Sequence, residues 1–160
     1  MAIDPIPAVS ISKMIGLLEY LDDVGGKEDV FRLAREINYE FGEILMVIKA
    51  AELLDLIVTP GGDVVVTATG SRLLRAKINA RKKLLKEQIK RLSLFQLVLN
   101  VLKSSENGRA ERDVFLEAFA LHLPAENPTN LFETVIDWGR YTELLGYSPD
   151  DDEVYIDQEN

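Results

Sequence analysis

Cysteine is absent from this 160-residue chain, and histidine and tryptophan occur once each, as His122 and Trp138. Without cysteine there can be no disulfide, no thiolate zinc site and no cysteine nucleophile. One histidine alone gives neither a zinc cluster nor a convincing catalytic triad. No apolar run approaches the roughly 20 residues that a membrane helix needs. The opening "MAIDPIPAVS" has neither the basic n-region nor the apolar core of a signal peptide, and it reads equally well as a linker remnant or a native start. The expectation is a soluble, cytoplasmic protein. No GxxxxGK[ST] phosphate loop occurs, and the glycine pairs at 25–26 and 61–62 read as turns. No strand ends in an acid suited to magnesium, and no G-x-S-x-G elbow is present. No catalytic residue, cofactor or metal is therefore assigned, and no enzymatic activity is expected of this chain.

What is present is an ordinary globular composition, 47% apolar and 28% charged, with a net charge of −9. The charge is segregated. From Arg72 to Arg91 there are nine basic residues and one acid, Glu87, leaving nine basic and 26 acidic residues elsewhere. An acidic protein with one strongly basic segment has no general affinity for nucleic acid.

Helical spacing of Ile11, Met14, Ile15, Leu18 and Leu21 predicts a first helix, capped by Ser10 or Ser12. A second begins near Glu28 and Asp29 with Val30, Phe31, Leu33, Ala34 and Ile37 as its apolar face. A third runs from about Glu40 to Leu54 and buries Phe41, Ile44, Leu45, Ile48 and Ala51. "LDLIVTPGGDVVVT" then reads as two β-branched runs around a turn, a hairpin. Three helices and a hairpin is the order of a winged helix. From Thr69 to Leu92 the pattern predicts one long basic helix with the stripe Leu74, Ile78, Leu85, Ile89 and Leu92, and room to continue past a bend near Ser93.

The order then recurs: a helix over 94–103, a second in "AERDVFLEAFALHL", a third in "ENPTNLFETVIDWGRYTELLGY" with Asn127 as cap and Pro128 in its first turn, and a smaller wing in "SPDDDEVYID". "EDVF" at 28–31 matches "RDVF" at 112–115, an offset of 84, and "ELL" at 52–54 matches 143–145, an offset of 91. The fold expected is mainly α with small β-hairpins: tandem winged-helix-like halves, 1–68 and 93–160, joined by a long helix, 69–92. A single helical domain with one true wing is the alternative.

"VSISKMIGLLEYL", "DVFRLAREI", "EILMVIKAAELLDL", "GDVVVTATGSRLLRAKINARKKLLKEQI" and "VIDWGRYTELLGY", in this order, resemble the C-terminal AAA-associated domain. That domain follows the nucleotide-binding domain in many ABC-transporter ATPases of the nitrate/sulfonate/bicarbonate/taurine import type. The resemblance runs from about Pro5 to Tyr155. It implies an accessory or regulatory module whose partner is an importer's nucleotide-binding domain, in cis or in trans, placed at the inner face of the membrane through the transporter. The alternative is a winged-helix transcription regulator. Against it, the third helices carry Glu40, Glu43, Glu52 and Asp55 beside Lys49, and Glu133, Asp137 and Glu143 beside Arg140, faces that repel phosphate.

Candidate partner contacts are the basic Arg72, Arg75, Lys82, Lys83, Lys86 and Lys90, together with Arg140 and Tyr141. The basic face reads first as a solvated surface; an acidic partner or anionic lipid heads are the functional readings. The leucine–isoleucine stripe serves either monomer packing or a homodimer. Asp150–Glu153 reads as a solvated acidic turn without the spacing of a calcium loop. In "VIDWGRY", Trp138 and Arg140 diverge by about 200° of helix rotation, so they make no aromatic–cation sandwich. Packing of Trp138 against the long helix or a second chain is favoured, with Gly139 as a close-contact position equivalent to Ile48, and Arg140 within helical reach of Glu133 and Glu143.

Overall fold

The computed structural model describes residues 2–157; Met1 and residues 158–160, the extreme ends of the two expected halves, lie outside it. Backbone contacts divide the chain into two compact units. One is Val9–Leu84; the other combines the described residues up to Ala8 with those from Leu85 onward.

The first unit contains α1 (Ile11–Asp23), β1 (Lys27–Asp29), α2 (Val30–Ile37), α3 (Phe41–Leu53), β2 (Ile57–Val58), β3 (Asp63–Val66), α4 (Ala68–Arg75) and the start of α5 (Ile78–Lys90). The Ser10 hydroxyl accepts from Lys13 N–H and caps α1, and the Asp29 carboxylate accepts from Phe31 and Arg32 N–H and caps α2. A 3₁₀ turn at Pro60–Gly62 joins β2 to β3, with Gly61 and Gly62 at positive φ. β3 is the centre of a three-stranded antiparallel sheet, flanked by β1 and β2. Leu17, Leu18, Leu21, Leu33, Ile44 and Val47 are fully buried in this unit.

The second unit takes the end of α5, then α6 (Ser93–Lys103), β4 (Arg109–Glu111), α7 (Arg112–His122), α8 (Pro128–Tyr141), β5 (Leu145–Ser148) and β6 (Glu153–Ile156). Its sheet has the same connectivity, β4-β6-β5. The Asn127 side chain caps α8 by accepting from Asn130 N–H, and Pro128 sits in the first turn. Helix, strand, helix, helix, strand, strand is thus the order of both units. The chain is mainly helical with two small antiparallel sheets, as the periodicity predicts. The two outer strands β1 and β4 are additions to the expected hairpins. Each is three residues long, and "KED" and "RAE" carry no β-branched residue to announce them.

The single helix expected over 69–92 does not form. α4 ends at Arg75, Ala76 is extended (φ −79°, ψ 149°), and α5 starts at Ile78. A second break at Leu92 (φ −74°, ψ 136°) precedes α6. The reason for the first break is Arg81. Its Nε donates to the Leu73 and Ala76 carbonyls at 3.0 and 3.2 Å, and its Nη2 donates to Leu74 at 3.1 Å. The guanidinium satisfies the last carbonyls of α4 and sits on the negative end of that helix.

The internal match is also re-registered. Asp29 and Glu111 are the N-cap residues of α2 and α7, so the equivalent positions lie 82 apart, and Leu33 corresponds to Phe115. The repeated "DVF" is not an equivalence: Phe31 is 65% exposed and Phe115 is 1% exposed. After the third helix the offset is 88. Leu56 N–H donates to Ala51 O as Leu144 N–H does to Gly139 O, and Asp55 and Glu143 hold the same left-handed turn at φ 61° and 60°. Each is a helix C-terminus closed by a 6→1 and a 5→2 hydrogen bond. Gly139 therefore corresponds to Ala51, not Ile48, and both are buried small residues.

Candidate interaction surfaces

The six basic candidates fall on two helices. Arg72 and Arg75 occupy the last turn of α4 and are exposed; Arg72 Nη2 approaches Thr69 Oγ1 at 3.5 Å. Lys82, Lys83, Lys86 and Lys90 lie on α5. Lys82, Lys86 and Lys90 follow one another at four-residue spacing, one row of the helix. Lys83 and Lys90 are exposed, Lys82 and Lys86 half-buried, and Lys90 Nζ lies 3.8 Å from Glu87. The extended Ala76 breaks the helical phase, so the two arginines do not continue the lysine row. Of the expected stripe, Leu85 and Ile89 are buried, whereas Ile78 is 65% exposed.

In the tryptophan segment, Trp138 is fully buried and stacks on Phe95 of α6, ring centroids 6.2 Å apart and planes within 9°. Its packing partner is thus the helix after the basic segment. A Cβ added at Gly139 would lie 2.6–2.8 Å from the Leu145 side chain, which explains a glycine inside a helix. Arg140 is exposed and Tyr141 half-buried. The cation and the buried indole share no surface, as the helix rotation predicts.

The acidic turn Asp150–Glu153 is used by its own unit. Asp152 accepts from the Tyr147 hydroxyl, Ser148 Oγ lies 3.3 Å from Asp151, and Glu153 pairs with Arg109 Nε at 3.0 Å. The hydrogen bond to Asp152, with some desolvation, raises the Tyr147 phenol above its usual value. Arg109 also lies over the Tyr155 ring at 4.7 Å. Among the described residues no group of three or more acids and histidines is arranged to hold a metal ion.

One surface escaped the sequence pattern. Phe31 and Phe41, both assigned to the core by periodicity, stack in the open, with centroids 5.5 Å apart and planes within 7°. Phe31 is 65% and Phe41 43% exposed, and Leu45, Met46 and Leu53 on α3 are about as open as Phe41. Beside them is an open cleft of about 460 Å³ whose apolar walls are Val30, Leu45, Ile48 and Val64, with Lys49, Glu52 and Asp63 at its edge. The available signal was that α3 carries Phe41, Leu45, Met46 and Leu53 in addition to Ile44, Val47, Ile48 and Ala51, more apolar residues than one buried face can absorb.

The model of the C-terminal AAA-associated domain family matches residues 31–148, from the first turn of α2 to the end of β5. The chain belongs to the C-terminal AAA-associated domain family. Membership places it among accessory domains of AAA/ABC-type proteins. No curated protein and no solved structure matches the chain. The basic helices α4 and α5 and the open phenylalanine surface lie within the matched segment of this AAA-associated domain; the acidic turn Asp150–Glu153 lies beyond it. No described helix is long and apolar enough to cross a membrane.

Proposed function

We propose that this AAA-associated domain is a non-catalytic regulatory module of an ABC importer ATPase of the nitrate/sulfonate/bicarbonate/taurine type. In this reading it binds the importer's nucleotide-binding domain, in cis or in trans, and biases its closure. It works in the cytoplasm, at the inner face of the membrane, through that contact. The observation that carries the reading is the concentration of exposed cations on α4 and α5 within an acidic family member. Arg72, Arg75 and Lys83 in the first unit, and Lys90 in the second, are exposed cations that an acidic partner would meet. Arg140 offers a further contact, with the half-buried Tyr141 beside it.

The test is calorimetric titration of the chain with the nucleotide-binding subunit of such an importer from the same organism, at two salt concentrations. Saturable binding that weakens with salt is expected. The variant Lys83→Glu/Lys90→Glu should weaken it by tenfold or more, and the ATPase rate of the subunit should change on binding. Absence of binding, or binding indifferent to both substitutions and salt, refutes the reading.

A further inference from the structure

We infer that the cleft between α3 and the β2–β3 hairpin is a binding site for a small aromatic amine. The repeat inside the chain says what is missing there. The site stands apart from the importer reading, which concerns the basic helices.

The residues that line the cleft have counterparts in the second unit. The offset is 82 at the start of α2, where the N-caps match, and 88 from the end of α3 into β2, where the helix C-termini match. At β3 it becomes 90. The ion pair Lys27–Asp63, at 3.5 Å, recurs as Arg109–Glu153, at 3.0 Å, and the strand register Asp29↔Asp63 recurs as Glu111↔Glu153. Gly62 and Asp152 each precede that acid, and both hold a positive φ, 88° and 53°. Val30, Thr59 and Gly62, which line the cleft, therefore correspond to Arg112, Tyr147 and Asp152.

In the second unit these three side chains are large or charged, and they form one cluster. The Arg112 guanidinium lies over the Phe132 ring, 5.4 Å from its centroid. Phe132 meets the Tyr147 ring edge-on at 6.1 Å, and the Tyr147 hydroxyl donates to Asp152. A cation and a phenol thus occupy the angle between the helix and the hairpin. In the first unit the same positions carry an isopropyl group, a small hydroxyl and no side chain, and the open cleft of about 460 Å³ lies there. Phe132 corresponds to Ile44, so none of the matched positions supplies a ring in the first unit. The cleft is within the roughly 300–1,000 Å³ of small-molecule sites.

The missing groups define the guest. A ring takes the place of the Tyr147 phenol against the apolar wall of Val30, Ile48 and Val64. An amine takes the place of the guanidinium. Glu52 supplies its acceptor: the carboxylate already accepts from the Thr59 hydroxyl at 2.8 Å, at the tyrosine's own position, and retains lone pairs for a second donor. Asp63, the other acid of the cleft, is shared with Lys27, and Lys49 is exposed at the edge.

Tyramine carries the ring, the phenol and the cation; 4-hydroxyphenylacetate keeps the ring and the phenol but reverses the charge. Each is titrated into the ¹⁵N-labelled whole chain and followed by amide chemical shifts. Tyramine should give saturable shifts at Val30, Thr59, Gly62 and Val64, and 4-hydroxyphenylacetate should bind about tenfold more weakly. Glu52→Gln should weaken tyramine by about tenfold as well, with an unchanged thermal midpoint because the side chain is exposed. The double variant Val30→Arg/Thr59→Tyr builds the second unit's groups into the cleft and should abolish the tyramine shifts while the rest of the amide spectrum stays dispersed. Absence of saturable shifts overturns the site. So do shifts that persist in the folded double variant. Equal binding of the anion, or indifference to Glu52→Gln, overturns the choice of an amine, and this arm holds even where the double variant fails to fold.

Discussion

Trp138 and Gly139 are neighbours with opposite requirements. The indole fills space: it is fully buried against Phe95, the largest side chain in its unit's core. Trp138→Ala should therefore destabilise by about 3–5 kcal/mol, read as a lowered midpoint in denaturant. A loss near zero would show that the indole does not pack as described. Gly139 leaves space. In an unobstructed helix, Gly→Ala is worth about 1 kcal/mol in favour of the variant. Here the new methyl would press on Leu145 Cβ at 2.8 Å, an atom fixed to the backbone. Overpacking of this kind costs about 1–3 kcal/mol, so Gly139→Ala should be net neutral to destabilising by about 2 kcal/mol. A clear rise in the unfolding midpoint would contradict the contact. The counterpart position in the first unit, Ala51, is fully buried with its methyl in place.

At the scale of elements, the break between α4 and α5 depends on a side chain rather than on a backbone breaker. "LLRAKINAR" contains no glycine or proline, so propensity continues the helix through it. Arg81 decides otherwise by capping α4 from five to eight residues downstream. Arg81→Ala removes charge-assisted hydrogen bonds that are worth about 1.5–3 kcal/mol. The expected result is that much loss of stability, or a gain of helical circular dichroism if the break closes into one helix; no change in either would contradict the capping role. The same contrast explains what was legible in the sequence. Elements with strong internal signals were readable: Ser10 before α1, Asn127-Pro128 before α8, the β-branched runs around Pro60–Gly62. Elements defined by a tertiary partner were not. β1 exists because Lys27–Asp29 pair with Asp63–Val65, and three polar residues do not announce that. The repeated "DVF" misled because it matches letters two residues out of register with the caps. Phe31 and Phe41 were assigned to the core because periodicity marks an apolar face without saying what covers it.

For the molecule as a whole, composition and position of charge bear on the rival reading, a transcription regulator. A duplex-reading protein neutralises phosphates with a surface that is basic where the reading helix sits. In the first unit that helix would be α3, whose open side is apolar with one lysine and one glutamate. In the second it would be α8, where Glu133 and Asp137 are exposed beside Arg140. The net charge of −9 adds long-range repulsion to both. The basic residues of α4 and α5 could hold DNA only through phosphates, without base contacts, and such binding collapses by about 10³–10⁵ between roughly 50 and 200 mM salt when six to ten phosphates are engaged. Titration of labelled duplex DNA with the chain should therefore show no saturable anisotropy change at about 150 mM salt. Any binding at low salt should be equal for unrelated sequences. Tight, sequence-dependent binding that survives physiological salt would instead favour the regulator, and would require α3 or α8 to enter a groove with a face the structure shows to be apolar or acidic.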